Sequence, residues 1–568
     1  MAKEGHKYIF VLGGVMSGVG KGVVASSLGL LLQQKGYPVN LVKIDPYLNV
    51  DAGTMNPTEH GEVFVLRSGL ETDQDMGNYE RFLGRDLTNE DYMTSGMVYQ
   101  SVIERERALG YGGKCVEAVP HVRDEILARI EAASSYNGSR ISVIEIGGTI
   151  GDFQNALFIE AARVLKMQHP EDVLFVMVSY LPTPGTLGEM KTKPTQMAVR
   201  DLNSYGVQPD FIVARSKEPV DEKRKEKLAI WCNVRKDRII AAPDITSIYE
   251  APLNFEKDKL GDAVLDALRL PEKKRASLAA WKKFALAAMN AKAPEVSIAI
   301  VGKYFDTGSF VLSDAYLSVI EAIKFSAAKL GRRAKITWVN SKDLEKAKTS
   351  RSDVRPTGRS GRSRGESVDM LAKYDGIIVP GGFGESGIEG KIKAIRFARE
   401  KKIPYFGLCY GMQLMVIEYA RHVLGLAGAN TTEIKKAAEH PVVDVMLEQK
   451  KHLSDNKYGG TMRLGVYPAY LKKGTLARAA YKKELVEERH RHRYEINSKY
   501  VKQLEDGGLV FSGTSPDGVL MEIAELPRER HPFMLGTQFH PEFNARPLSP
   551  HPLFTEFLRA ALSRKRRK

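Results

Sequence analysis

Short apolar runs recur along this chain with room for a helix between neighbours. Residues 8–12, 173–178 and 211–214 form such runs in the first half, and residues 296–301, 336–339, 376–380 and 403–408 in the second. They lack polar alternation, the mark of strands covered on both faces of a parallel sheet. Between them, stretches such as residues 413–424 carry apolar positions at helical spacing. The pattern predicts an α/β protein with two doubly wound parallel-sheet domains. Residues 271–295 break it: Glu272-Lys273-Lys274-Arg275 and Trp281-Lys282-Lys283 read as a charged helical connector. The expected division is 1–270, a linker at 271–295, and 296–562 with a basic insertion at 346–365 and a basic tail at 563–568.

Composition narrows the class. A chain of 568 residues exceeds what one core organises. With 43% hydrophobic and 27% charged residues it reads as soluble and globular. No apolar run reaches membrane-spanning length, and the first residues lack a signal-peptide core, so a cytoplasmic location and no membrane partner are expected. Three cysteines, Cys115, Cys232 and Cys409, lie far apart without metal-type spacing, which argues against a disulfide framework or structural zinc. The net charge of +15 is partly concentrated in residues 346–364 and in Arg564-Lys565-Arg566-Arg567-Lys568. Both read as solvated, disordered appendages with weak attraction to polyanions; no dedicated nucleic-acid function is expected.

Cys409 falls between the apolar run ending at Leu408 and the helical stretch from Gln413, on a sharp turn that presents its side chain. Gly407 and Gly411 are expected to let the backbone bend there, and the helix amides favour a thiolate. Alone, a cysteine reads most simply as a core thiol. A base changes that reading: His540 and Glu542, two apart on a segment expected to be extended, project to one side, so the carboxylate can orient the imidazole.

At the other end, the first apolar run leads into Gly13-Gly14-Val15-Met16-Ser17-Gly18-Val19-Gly20-Lys21-Gly22 and then a helix. Strand, glycine loop and helix N-terminus together let backbone amides cradle phosphates, with Lys21 reaching the terminal ones. The match to the common P-loop is imperfect, because Gly22 stands where a magnesium-binding Ser or Thr belongs. Asp75, in an acidic loop, and Glu145, on an otherwise apolar strand, are therefore the expected Mg2+ ligands. A charge on that strand is costly unless it meets a cation or donor.

Gly407-Leu408-Cys409-Tyr410-Gly411-Met412-Gln413, Gln538-Phe539-His540-Pro541-Glu542 and Pro380-Gly381-Gly382-Phe383-Gly384 together resemble the class I glutamine amidotransferases. The resemblance implies that Cys409 attacks the glutamine amide, His540 protonates the leaving ammonia and Glu542 orients His540. The amides of Gly382 and Tyr410 would form an oxyanion hole. Gly411, Met412, Gln413, Glu433 and Arg493 would complete the glutamine site, with Glu433 and Arg493 gripping the substrate's backbone charges. The alternating histidines near Arg493, His490 and His492, could suggest a metal site, but flanking arginines would repel a cation.

The first half is similar to the CTP synthases through Lys43-Ile44-Asp45-Pro46-Tyr47, Gly53-Thr54-Met55, His60-Gly61-Glu62-Val63-Phe64-Val65, Tyr79-Glu80-Arg81-Phe82, Glu145-Ile146-Gly147-Gly148-Thr149 and Lys191-Thr192-Lys193-Pro194-Thr195-Gln196. That resemblance implies a P-loop synthetase domain fused to the amidotransferase. It implies ATP phosphates held by Gly18, Val19, Gly20, Lys21, Gly22 and Val23 with Lys43 and Asp75 nearby. UTP, or CTP as feedback inhibitor, would meet Ser17, Lys191, Thr192, Lys193, Pro194, Thr195, Gln196 and Lys227. Asp152, Phe153 and Gln154 would sense the inhibitor's base, though the family often carries an acid where Gln154 stands. His60 would belong to an ammonia gateway. L-glutamine as nitrogen source, GTP as activator, and a homotetramer that stacks into filaments are further implications. Two rivals stay open: an amidoligase acting on another acid, such as a corrinoid, and a DNA-bound partition-type ATPase with a decayed amidotransferase, against which intact Cys409, His540 and Glu542 speak.

Overall fold

The computed structural model describes residues 5–185, 188–271, 273, 276–303, 313–346, 368–382, 384–446, 449 and 460–566. Beyond Lys346, the expected basic insertion lies outside the described residues, as do Arg567 and Lys568. The chain forms two compact units, Met1–Ala52 with Asp75–Met289, and Gly53–Gln74 with Asn290–Lys568.

In the first unit, strands β1 (Lys7–Gly13), β2 (Val39–Asp45), β3 (Tyr92–Thr94), β4 (Ile141–Ile146), β5 (Val173–Tyr180), β6 (Phe211–Ser216) and β7 (Ile239–Pro243) form one parallel sheet in the order β3-β2-β4-β1-β5-β6-β7. Every residue of β1, β2 and β4 is buried, as strands covered on both faces of a parallel sheet require. Phe10 of β1 stacks on Phe175 of β5 in the core. The chain runs from β1 to one side of the sheet and later returns to the other. The glycine loop therefore leaves the carboxyl end of a strand where the order reverses, the place where such sheets bind ligands. The connector forms a helix, Ala279–Ala288, docked on this unit: Trp281 Nε1 donates to the Tyr249 carbonyl at 2.9 Å and its ring packs on Phe82.

In the second unit, β8 (Glu295–Gly302), β9 (Arg333–Asn340), β10 (Gly376–Val379), β11 (Tyr405–Leu408), β12 (Arg463–Leu471), β13 (Leu485–His492), β14 (Val510–Thr514), β15 (Met521–Glu525) and β16 (Met534–Thr537) form a sheet in the order β9-β8-β10-β11-β16-β15-β14-β12-β13. The stretch from β9 to β16 is parallel, and an antiparallel extension follows. Apolar runs did not reveal that extension because strands such as β13, Leu-Val-Glu-Glu-Arg-His-Arg-His, bury polar side chains in pairs rather than apolar ones.

Residues 53–74 lie within 1–270 by sequence but pack in the second unit. The Val466 amide donates to Arg67 O at 3.0 Å, Arg489 donates to Val65 O at 3.0 Å, and Arg491 pairs with Glu71 at 2.7 Å. Glu62 accepts from the Ser318 amide at 3.0 Å, in the first turn of the helix Leu317–Lys329. The expected solvated tail is corrected in part: Pro552–Lys565 is one helix whose end is tied down, Arg564 donating to Tyr374 O at 2.7 Å and Lys565 to Glu295 O at 2.6 Å. Among the described residues, no helix is long and apolar enough to cross a membrane.

Candidate active site

Cys409 ends β11 and caps the helix Tyr410–His422 with φ 50° and ψ −101°, a conformation that non-glycine residues avoid. Its amide donates to Thr537 O of β16 at 2.6 Å, which locks the turn and lifts the side chain above the sheet. The flanking glycines serve a different purpose from the one expected. Neither has a positive φ; a Cβ on Gly411 would stand 2.1 Å from Val379 O, and one on Gly407 2.7 Å from the Gly411 backbone. They are needed for close packing of helix on strand, and Cys409 itself takes the strained torsion.

His540 and Glu542 follow β16, so Cys409 and His540 rise from the carboxyl ends of neighbouring parallel strands. Pro541–Asn544 is a 3-10 turn rather than the extended segment expected, with Pro541 starting it. The pairing survives: His540 Nδ1 meets Glu542 Oε1 at 2.7 Å, and the imidazole stacks on Phe543. Burial is the largest single influence on His540 and opposes its charge, but the Glu542 carboxylate and the hydrogen-bonded Cys409 sulfur outweigh it and raise its pKa to about 10. Cys409 is only 6% exposed, with Gln538 Nε2 and Arg491 O each 3.8 Å from its sulfur.

One pocket beside Cys409 is lined by Gly382, Tyr410, Gln413, Glu433 and Arg493, and also by His492 and Tyr494, which motif reading missed. Arg493 is held by Gln449 at 2.9 Å and Thr461 at 2.8 Å, Glu433 by the Gly384 amide at 2.9 Å, and Gln413 by Tyr494 O at 2.8 Å. Gly411 and Met412 face the core instead, Met412 under Gly536. A second pocket on the other side of Cys409 is lined by Pro57, Glu62, Val63, Tyr316, Gly381 and Arg491 among others. His60 belongs to the same segment but stands 3.5 Å from Asp73 rather than in that lining. His490 and His492 bond to each other at 2.9 Å in the interior, and burial first, then Arg463, holds both well below the ordinary histidine range.

Glu542→Gln tests the orienting carboxylate. Because His540 is raised in the folded state, the pair's stabilisation is complete below about pH 6.5 and lost as pH rises through about 10. The melting-temperature gap between the parent chain and Glu542→Gln is expected to be several degrees near pH 6 and to close towards pH 10.5, with glutaminase activity down about 10³-fold or more throughout.

In the first unit, Lys43 and Glu145 are register partners on β2 and β4, so their side chains meet on one face. Lys43 Nζ lies 3.0 Å from Glu145, 2.6 Å from Asp75 and 3.5 Å from Asp45, and Tyr79 donates to Glu145. The buried charge of Glu145 is thus met by a cation and a donor. Asp75 fills the space that glycine leaves at position 22: a Cβ there would stand 2.7 Å from its carboxylate. The Asp75 carboxylate therefore stands beside position 22, where the common P-loop carries Ser or Thr. Among the described residues no group of three or more His, Cys, Asp or Glu is arranged to hold a metal by itself. Gly20 caps the helix Lys21–Gln34 at φ 88°, and Lys21 donates to Gly148 O at 2.6 Å. Burial, the largest influence, lowers the Lys21 pKa against the pull of Glu145.

A largely apolar pocket opens beside Gly20 and Val23, walled by Arg215, Pro243, Ile248 and Phe255. Nothing local in the sequence marked it, since its walls come from β6, β7 and the helix Ala251–Lys257. Of the expected nucleotide contacts, Lys191 pairs with Glu189 at 2.6 Å, and Lys227 acts on the same carboxylate. Thr195 is buried and bonded to Ser179, and Gln196 bonds Thr192. Asp152 accepts from the Thr149 amide at 2.6 Å, while Phe153 is 93% exposed.

The fold and this triad define a class I glutamine amidotransferase unit alongside a P-loop-like α/β unit. Family models agree: residues 7–270 match the CTP synthase N-terminus and residues 311–560 the class I glutamine amidotransferase family. The chain is 47% identical over 565 residues to a CTP synthase of Pyrococcus furiosus, covering 99% of each, and 47% identical over 566 residues to one of Methanocaldococcus jannaschii, covering 98% of this chain and 99% of that one. Among solved structures, the glutaminase domain of Trypanosoma brucei CTPS with bound acivicin is 36% identical, covering 47% of this chain and 94% of that one at a TM-score of 0.40. The chain belongs to the CTP synthase family. It is a glutamine-hydrolysing ligase that aminates UTP to CTP.

Proposed function

We propose that the chemistry divides between the two units as follows. Cys409 attacks the side-chain amide of glutamine, the amides of Gly382 and Tyr410 stabilise the oxyanion, and His540, held charged by Glu542, protonates departing ammonia. Water then hydrolyses the thioester to glutamate. Glu433 receives the substrate's α-ammonium and Arg493 its α-carboxylate. Oxide is a poor leaving group, so the carbonyl oxygen at position four of the UTP base is first phosphorylated by ATP, releasing ADP; ammonia adds to the carbon that bears it and phosphate leaves. Ammonia passes internally, because free ammonia is mostly ammonium at neutral pH and cannot attack.

Residues 18–23 hold the ATP phosphates, Lys21 and Lys43 balance the transferring charge, and the apolar pocket beside Gly20 takes the flat base. The oxygen donors Asp75 and Glu145 suit Mg2+, which prefers carboxylates together with waters and phosphate oxygens and would neutralise the triphosphate when bound. Ser17, residues 191–196 and Lys227 take UTP, and Asp152, Phe153 and Gln154 the inhibitory CTP. GTP activation, a tetramer and filaments complete the reading.

The observation that supports it most is the convergence of Cys409, His540 and Glu542 above adjacent strand ends, with His540 raised between the Glu542 carboxylate and the Cys409 sulfur. The deciding assay follows absorbance during conversion of UTP with ATP, Mg2+ and glutamine, with and without GTP. CTP formation that GTP accelerates is expected; release of glutamate with no CTP, even from added ammonium salt, would refute the reading.

A further inference from the structure

Lys391, on the helix Ile388–Glu400, is 0% exposed, and its Nζ has no hydrogen-bond partner among the described residues. A buried polar group left unbonded is costly, so its surroundings call for an explanation. Three groups from three different elements act on it. The Tyr410 ring lies 5.4 Å from Nζ, on the helix that starts at the nucleophile; Lys303 stands at the end of β8; Glu433 lies just beyond the strand Ala429–Thr431. Lys342 acts on Lys303 in turn. Tyr410 and Glu433 both line the pocket beside Cys409, whereas Lys391 is not among its lining residues and reaches it through the Tyr410 ring. The three charges are linked: Glu433 draws protons toward both lysines, Lys303 opposes the charge of Lys391, and both lysines oppose the protonation of Glu433 that burial favours.

We infer that Lys391 is a positioning residue of the glutamine site: its ammonium and the substrate's α-ammonium compete for the Glu433 carboxylate, so glutamine binds with release of the Lys391 proton. The inference rests on the reading of Glu433 as the seat of the α-ammonium. Two cations around one carboxylate in a low-dielectric wall repel strongly, and the amine that can leave its charge behind does so. Burial, with help from Lys303, brings the Lys391 pKa down to about 7, so the release falls in the physiological range. The sign follows. Below about pH 7 Lys391 is charged before glutamine arrives and affinity falls with each unit of acid; above it the amine is already neutral and affinity levels off. The substrate's α-carboxylate, on Arg493, does not offset the conflict at Glu433.

Calorimetric titration of L-glutamine into the full chain carrying Cys409→Ala, in buffers of different ionisation enthalpy, reads affinity and proton release together. Between pH 6 and 7 affinity is expected to rise several-fold, approaching tenfold, and to flatten above pH 8; near pH 7 about half a proton leaves per glutamine bound. Adding Lys391→Met should flatten the profile and abolish proton release. The proton count is made with Lys391 intact, so it does not depend on how well the Met chain folds. A pH-independent affinity without proton release in the Lys391 chain overturns the inference, as does a Met chain that keeps both. Glu433→Gln separates the two levels: if it binds glutamine normally, the reading of Glu433 falls and the inference with it. If it loses affinity while the Lys391 chain shows a flat profile, only the role of Lys391 falls.

Discussion

Cys409→Ala is expected to reduce CTP formation from glutamine by about 10⁴-fold or more while formation from an ammonium salt continues. The nucleophile and its base belong to the second unit, and the phosphate loop with Lys21 and Lys43 to the first, so removing the thiol takes away a nitrogen source and leaves the acceptor chemistry alone. Alanine is a fair probe because it keeps the Cβ and the strained φ of 50° that the turn imposes. The measurement is initial CTP formation with each nitrogen source in turn. Loss of both would show that the two chemistries are not separate.

Lys21→Ala is expected to have the converse pattern. Both nitrogen sources fail, with a loss of about 10³-fold, because a positioned charge on the transferring phosphoryl group acts at full strength in a water-poor site. Basal glutaminase activity persists. Lys21 is buried and bonded to Gly148 O at 2.6 Å, so melting of the variant should be followed alongside to separate lost chemistry from a loosened loop. Retention of ammonia-dependent CTP synthesis in this variant would remove Lys21 from the phosphoryl-transfer step.

Much of the site was legible locally. The Cys409 elbow, the His-Pro-Glu sequence and the glycine loop are contiguous patterns whose geometry is set within a few residues. Local reading erred where several conformations produce the same pairing: His540 and Glu542 meet across a 3-10 turn as well as they would along a strand. It also erred on why Gly407 and Gly411 are glycine: the Val379 O that a side chain at 411 would strike lies more than twenty residues away in the chain, and Gly407 is limited by the helix start folded back on its own strand.

By itself the sequence determined the two α/β units and marked out the Cys409 turn, the His540 and Glu542 pair and the glycine loop, because burial periodicity and tight turns are properties of neighbouring residues. The tertiary structure alone decided that Lys43 bridges Asp75 and Glu145, that residues 53–74 pack beside the Cys409 pocket, that an antiparallel extension completes the second sheet, and that the buried Lys391, unbonded among the described residues, lies against the Tyr410 ring. Those contacts join residues far apart in the chain. They depend on strand order and register, about which an apolar run, identical in any sheet position, carries no information.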